Sequence, residues 1–248
     1  MKLHRRTFLA GLAAAGVRLS AQAEASGSAK KGWGGDLGTA QALQSKWYYN
    51  WGPRGESAPG VEFVPMVKTH AQVNEKTLAE IKARGAKTLL CLNEPERKDQ
   101  GNTTVEKALE IWPQLMATGL RLGSPAPSSD TGGMAWLEKF MEGVKRNKLR
   151  VDFIALHWYR SSNAEELKLW LDQIAKDHRR PIWVTEFNSM YSGGDRNRFA
   201  REAWKVLDRH AKVERYAYFN APIGEAGSLF QNKDYRTLTE LGEDYKKR

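Results

Sequence analysis

The chain has 248 residues, 41% of them hydrophobic and 27% charged, with a formal net charge of +10 at pH 7. That composition is ordinary for a globular protein with a core of useful size, held in one large domain or two small ones. No stretch beyond residue 25 approaches the ~20 apolar residues of a membrane span, and no run of five or six like charges marks a nucleic-acid tract.

The first residues carry Lys2, Arg5 and Arg6, followed by a short contiguous apolar run. Ala21-Gln22-Ala23 and Ala23-Glu24-Ala25 each supply a small-x-small cleavage pattern, so residues 1–25 are expected to be a signal peptide. Arg5-Arg6-Thr7-Phe8-Leu9 resembles the twin-arginine type, which exports folded proteins to the periplasm or medium. An amphipathic first helix is the competing reading, but the apolar residues are contiguous rather than spaced along one face. Cleavage after Ala23 removes Lys2, Arg5, Arg6 and Arg18 and no acid, leaving +6 as a solvated basic surface. The single cysteine, Cys91, excludes an intramolecular disulfide and reads as a small buried hydrophobe. Residues 26–30 are expected to be a disordered linker, and residues 31–248 one domain.

From residue 31 onward short apolar runs alternate with amphipathic ones. Strands are expected at Lys31–Gly34, Trp47–Trp51, Phe63–Val67, Thr88–Asn93, Arg121–Pro127, Phe153–Tyr159, Ile182–Phe187 and Tyr216–Asn220. Leu78 and Ile81 mark one face of a helix that stops at Gly85. Thr103-Thr104-Val105-Glu106 and Ser162-Asn163-Ala164-Glu165 read as capping boxes opening two more. Further helices are expected around Trp136–Val144, Phe199–Leu207 and from about Thr237 onward. Eight strands alternating with helices predict one parallel α/β sheet, closed as a compact (β/α)8 TIM barrel. An open doubly wound sheet competes, but Trp33-Gly34-Gly35-Asp36-Leu37-Gly38 lacks the order of a phosphate-binding glycine loop.

In such barrels the site is built at the C-terminal ends of the strands. The second ends Tyr48-Tyr49-Asn50-Trp51, the fourth Leu92-Asn93-Glu94-Pro95-Glu96, the sixth His157-Trp158-Tyr159 and the seventh Thr185-Glu186-Phe187. If Glu94 and Glu186 both point into the mouth, they form a carboxylate pair of the kind that cleaves glycosidic bonds. A separation of about 5–5.5 Å corresponds to retention of configuration. Either alone is more often a cap or a salt-bridge partner. Glu96, beyond Pro95, is expected on the loop and outside the chemistry. Of the nine tryptophans, Trp112, Trp136, Trp170 and Trp204 fall on helical faces, whereas Trp51 and Trp158 stand at strand ends where a ring can stack on a sugar.

Asn93-Glu94-Pro95 and Thr185-Glu186-Phe187 resemble the catalytic signatures of the clan A glycoside hydrolases. More narrowly, Trp47-Tyr48-Tyr49-Asn50-Trp51, His157-Trp158-Tyr159 and the compact length resemble glycoside hydrolase family 128, over about Lys31 to Tyr245. The resemblance implies a (β/α)8 β-1,3-glucanase, expected here as endo-acting, with Glu94 as acid/base and Glu186 as nucleophile. It implies that Asn93 binds the sugar hydroxyl beside the reacting carbon, and that His157 and Tyr159 orient Glu186 or the sugar. Asn50, Trp51 and Trp158 are further candidate sugar contacts. Where the clan often has a tryptophan after the last strand, this chain has Tyr218-Phe219-Asn220, leaving Phe219 as an apolar platform.

Neither cofactor nor metal is expected. His4, His70, His157, His178 and His210 share no short ligand spacing, Ser128 and Ser129 lack a nucleophile elbow, and two carboxylates need no cofactor for hydrolysis. The expected partner is a β-1,3-glucan, bound by a monomer, with no nucleic acid and no membrane once the leader is gone. A non-catalytic β-glucan-binding protein on the same scaffold, and a clan A hydrolase of β-1,4 or β-1,6 linkage, are the alternatives.

Overall fold

The computed structural model describes residues 27–248; the leader expected over residues 1–25 lies outside the described residues. Among the described residues there are nine strands and seven α-helices, mostly in alternation. The strands are β1 (Lys31–Gly34), β2 (Trp47–Tyr49), β3 (Glu62–Phe63), β4 (Met66–Val67), β5 (Thr88–Cys91), β6 (Arg121–Leu122), β7 (Ile154–Trp158), β8 (Ile182–Phe187) and β9 (Val213–Tyr218). The helices are α1 (Leu37–Ala42), α2 (Glu75–Ala83), α3 (Val105–Met116), α4 (Thr131–Arg146), α5 (Ala164–His178), α6 (Arg196–Arg209) and α7 (Glu240–Lys246). All strand pairs are parallel, in a six-stranded sheet of order β3-β2-β1-β9-β8-β7 and a three-stranded one of order β4-β5-β6.

Proline explains where the strands depart from expectation. The expected third strand, 63–67, is divided at Pro65, which has no N–H for a ladder. Its first half pairs with β2 and its second with β5. The expected fifth strand, 121–127, stops at Leu122 ahead of Pro125 and Pro127. Beyond it a single bridge, Gly123 to Phe153, connects toward β7, with Ser124 N donating to Phe153 O at 2.9 Å.

The helix starts carry the side-chain caps their sequences announce. Thr104 accepts from Lys107 N at the start of α3, and Asn163 from Glu165 N at the start of α5, each one residue later than the expected first position. α2 is capped at Arg84, and Gly85 follows at φ 75°, a left-handed conformation that glycine takes without penalty.

Side chains alternate across each strand, and this divides the core in two. Trp47, Tyr49, Met66, Leu90, Phe153, Ala155, Trp183 and Ala217, drawn from both sheets, form an inner cluster. The opposite faces pack on the helices in a larger cluster that includes Leu89, Cys91, Trp112, Leu156, Trp158, Phe187 and Trp204. Cys91 is buried as expected, and burial pushes its thiol well above its ordinary value.

The segment expected as part of a linker is instead tied down from Ser28 onward. Ser28 N donates to Arg248 O. Lys30 Nζ reaches Leu207 O, Asp208 O and His210 O at 3.3, 2.8 and 3.0 Å, satisfying carbonyls at the end of α6. Lys31, fully buried, gives Nζ to Leu43 O, Tyr245 O and Lys246 O at 3.0, 2.9 and 2.9 Å. Burial, with Lys46 and Arg248 nearby, lowers its pKa to about 8. The two lysines thus fasten the ends of α1, α6 and α7 beneath the N-terminal end of β1.

Candidate active site

The C-terminal ends of β2, β5, β7, β8 and β9 converge on one cavity of about 720 Å³, within the range of ligand pockets. Three local irregularities aim its residues. After β5, Leu92 and Glu94 take positive φ of 52° and 39°, breaking the alternation so that Asn93 and Glu94 both line the cavity. Glu94 N is fixed by Ala126 O at 2.8 Å. Trp51 takes φ 56° at the end of the second run. In β8 the register to β7 slips between Val184 and Glu186, so Thr185 is extra. From Trp183, which faces inward, strict alternation would send Glu186 outward; the bulge turns it into the mouth. Left-handed non-glycine residues cost on the order of 1–3 kcal/mol each and collect at functional sites.

Glu186 is 6% exposed and held from both oxygens. Oε1 accepts from Trp51 Nε1 at 2.7 Å and from Tyr49 OH at 3.3 Å; Oε2 accepts from Tyr159 OH at 2.8 Å. Burial, then the charge of Glu186, pushes both tyrosine hydroxyls well above their ordinary pKa, so they remain donors.

His157 lies fully buried between the carboxylates, its Nδ1 3.1 Å from Glu94 Oε1 and 3.5 Å from Glu186 Oε2. One ligand atom from each of Glu94, His157 and Glu186 falls within 4.8 Å of the others. Burial works against the imidazolium, but Glu186 and then Glu94 outweigh it and raise the pKa of His157. For Glu94 burial acts upward, while the His157 hydrogen bond and charge, and then Arg97, bring the net shift below the ordinary carboxylate value. Arg97 Nε stands 3.4 Å from Glu94 Oε2, and its Nη2 also pairs with Asp130 at 3.0 Å.

Seven of the nine expected residues meet here. Glu94, Glu186, Asn93, Trp51, Tyr159 and Phe219 line the cavity, and His157 lies beneath it. Phe219 stands edge-on to Trp51 and Tyr159, with ring centroids 5.8 and 5.9 Å away. The buried Asn93 Oδ1 has no partner among the described residues and is open to a hydroxyl. A second cavity of about 510 Å³ shares Trp51, Tyr191 and Phe219 with the first and extends toward Trp33 and Tyr235.

Two expected contacts are corrected. Trp158 is 2% exposed, packs on Trp170 of α5 and donates Nε1 to Ser161 O at 3.1 Å, so it faces the helices. Asn50 bonds within its own loop, to Arg54 O at 2.9 Å and Gly52 N at 3.2 Å. The reason is the same for both. Each stands between two residues whose side chains go to the mouth, His157 and Tyr159 for Trp158, Tyr49 and Trp51 for Asn50, and its own side chain is held elsewhere by the bonds just given. Glu96 is on the loop as expected, its Oε1 accepting from Ser128 N at 2.9 Å.

Tyr49 and Arg97 were not among the expected site residues. Tyr49 shares the parity of Trp51 two residues on, a usable signal. Arg97 offers only its position three residues after Glu94.

Residues 26–245 match the model of the glycosyl hydrolase catalytic core family. No curated protein matches the chain by sequence. Among solved structures, a family 128 subgroup I endo-β-1,3-glucanase from Amycolatopsis mediterranei, in complex with laminaritriose, is 33% identical. That match has a TM-score of 0.77 over 88% of this chain and 98% of the other. A subgroup II endo-β-1,3-glucanase from Pseudomonas viridiflava is 28% identical, with a TM-score of 0.74 over 88% and 97%. A subgroup III curdlan-specific exo-β-1,3-glucanase from Blastomyces gilchristii, in complex with glucose, is 31% identical, with a TM-score of 0.73 over 89% and 98%. With the family model spanning nearly the whole described chain and these identities holding over its length, the chain belongs to glycoside hydrolase family 128.

Proposed function

We propose that this protein is a retaining endo-β-1,3-glucanase acting by double displacement, with Glu186 as nucleophile and Glu94 as acid/base. The observation that carries the reading is the spacing of Glu94, His157 and Glu186, one ligand atom of each within 4.8 Å of the others. That closeness suits the ~5–5.5 Å carboxyl separation of retaining enzymes better than the wider ~6.5–9.5 Å separation of inverting ones. The hydrogen bonds divide the roles. Glu186, held by Trp51, Tyr49 and Tyr159, has a fixed attacking oxygen, whereas Glu94 touches a proton carrier.

In the first step Glu186 attacks the anomeric carbon while Glu94 protonates the leaving oxygen. Glu94 is biased toward its ionised form, so its proton comes from His157 Nδ1, 3.1 Å away. As Glu186 gives up its charge to the new bond, the largest support for the imidazolium is withdrawn and the proton moves to Glu94. In the second step Glu94 takes a proton from the attacking water, which frees Glu186, and the proton returns to His157 Nδ1 as Glu186 regains its charge. The linkage preference rests on the laminaritriose-bound and other β-1,3-glucanase relatives; the aromatic cavity walls of Trp51, Tyr159, Tyr191 and Phe219 suit sugar faces.

The reading also includes a closed (β/α)8 barrel. The continuity of 62–67 through Pro65 and the Gly123–Phe153 bridge support that closure. It includes a twin-arginine leader over residues 1–25, which would export the folded enzyme, and the leader sequence supports that part.

The test is product formation from linear β-1,3-glucan. Glu186→Ala and Glu94→Ala are each expected to abolish release of reducing sugar in folded protein, and the first-formed product of the wild type is expected to be the β-anomer by proton NMR. Activity near wild type in either variant refutes the site. A first-formed α-anomer refutes retention, and turnover confined to β-1,4 or β-1,6 substrates refutes the linkage.

A further inference from the structure

We propose that Glu94, His157 and Glu186 also bind a borderline divalent transition-metal ion, with Zn²⁺ as the probe, and that the bound ion reversibly blocks the enzyme. No short sequence spacing announces this site, because its three ligands come from β5, β7 and β8 and meet only in the fold.

The donor set is two carboxylates and one imidazole nitrogen, which suits Zn²⁺ and Cu²⁺ rather than Mg²⁺ or Ca²⁺. Zinc bonds to nitrogen and oxygen of about 2.0–2.2 Å set the edges of its coordination tetrahedron at roughly 3.3 Å. The measured edges from His157 Nδ1, 3.1 Å to Glu94 Oε1 and 3.5 Å to Glu186 Oε2, bracket that value. The third edge closes by movement of Glu94, the more exposed carboxylate, because Glu186 is pinned from both oxygens. The fourth vertex opens on the cavity, giving the three-ligand open geometry of a site that still takes water or a hydroxyl.

Burial strengthens the case: His157 is fully buried and Glu186 nearly so. The entering ion takes the place of the proton on Nδ1, which leaves to solvent. Two features limit affinity. Arg97, 3.4 Å from Glu94 Oε2, opposes a cation, although its pairing with Asp130 offsets part of that charge. His157 Nε2 is buried with no hydrogen-bond partner among the described residues, so it lacks there the second contact by which tight metal sites orient a histidine. The site is therefore suited to a displaceable inhibitor rather than a resident cofactor. Inhibition rests on the roles proposed for Glu94 and Glu186, since the ion occupies the oxygens both steps use. Binding rests on the geometry alone.

Calorimetric titration of the purified protein with Zn²⁺ tests this. The expected result is one reversible site per chain, silent to Mg²⁺ and Ca²⁺, removed by EDTA, and weakened at least roughly tenfold by His157→Gln. Glu94→Gln serves the same purpose if the first variant fails to fold. Saturating β-1,3-gluco-oligosaccharide is expected to lower the apparent zinc affinity, and Zn²⁺ to inhibit glucan turnover. No heat at millimolar Zn²⁺, or a site that both variants retain, overturns the proposal. Zinc binding lost in the variants of a protein that turns over no β-glucan would sink the glucanase reading and keep the metal site. Glucan turnover with no zinc binding would do the reverse.

Discussion

Tyr159→Phe isolates what the hydrogen bonds to Glu186 contribute. The ring keeps its contacts with Phe219 and Tyr191, at centroid distances of 5.9 and 5.4 Å, and loses only the hydroxyl that donates to Oε2 at 2.8 Å. Oε2 is then left with His157 Nδ1 at 3.5 Å, while Oε1 keeps Trp51 and Tyr49. A hydrogen bond to a charged group is worth about 1.5–3 kcal/mol. If that energy holds the carboxylate in its attacking orientation, kcat/KM on a β-1,3-gluco-oligosaccharide falls about 10- to 100-fold, and the fall is in kcat because the reacting atom is misplaced rather than the sugar. Trp51→Phe is expected to do likewise from the other oxygen. The double variant should lose more than the two single losses combined, because neither oxygen then has a short donor. Steady-state kinetics on protein whose melting temperature is checked in parallel gives the answer. A folded Tyr159→Phe enzyme within about threefold of wild type, or a faster one, means these donors only solvate Glu186.

Three further outcomes follow from the rest of the structure. Lys31 has its pKa lowered from 10.5 to about 8, so between those values the unfolded chain binds the extra proton and stability rises with pH, by about 3 kcal/mol in all. Urea unfolding at pH 7 and pH 10 should show the wild type gaining most of that relative to Lys31→Met, and a flat or falling difference contradicts it. Gly101 has no room for a side chain, since a Cβ would lie 2.3 Å from Asn93 O and 2.9 Å from Pro95 Cα. Gly101→Ala is expected to cost about 1–3 kcal/mol in a thermal melt and to lower kcat/KM by shifting the backbone of Asn93 and Glu94; wild-type values of both would count against that reading. Glu96→Gln leaves an amide oxygen for Ser128 N, so its stability change should stay near 1 kcal/mol or less with activity preserved. A loss as large as that of Glu94→Ala would reassign the acid/base.

Most strands were legible because several are near-continuous apolar runs, and Glu94 and Glu186 were legible because they interrupt such runs where they end. The breaks were less so. Pro65 sits inside an apolar run that reads as one strand, and only the missing N–H divides it. The alternation rule, applied residue by residue, would have removed Asn50 and Trp158 and added Tyr49. The same rule would have failed at Glu186, which enters the mouth only through the extra residue at Thr185, a slip in pairing that one strand alone cannot reveal. Arg97 and the grouping of His157 with both carboxylates depend on loop geometry and on strands far apart in the chain. Lys30 was read as the edge of a linker because a lysine that gives all its donors to carbonyls resembles, in sequence, one that faces water.

The clasp between Ser28 and Arg248 sets both ends of the described chain at the N-terminal end of β1, while the cavity lined by Glu94 and Glu186 opens at the C-terminal ends of the strands. Anything attached to either end, such as a carbohydrate-binding module, a resin tether or a reporter, therefore stands on the far side of the molecule from the substrate. The same proximity invites circular permutation: a short linker joining the two ends, with new termini opened in an exposed loop away from the mouth, should leave Glu94, His157 and Glu186 where they are.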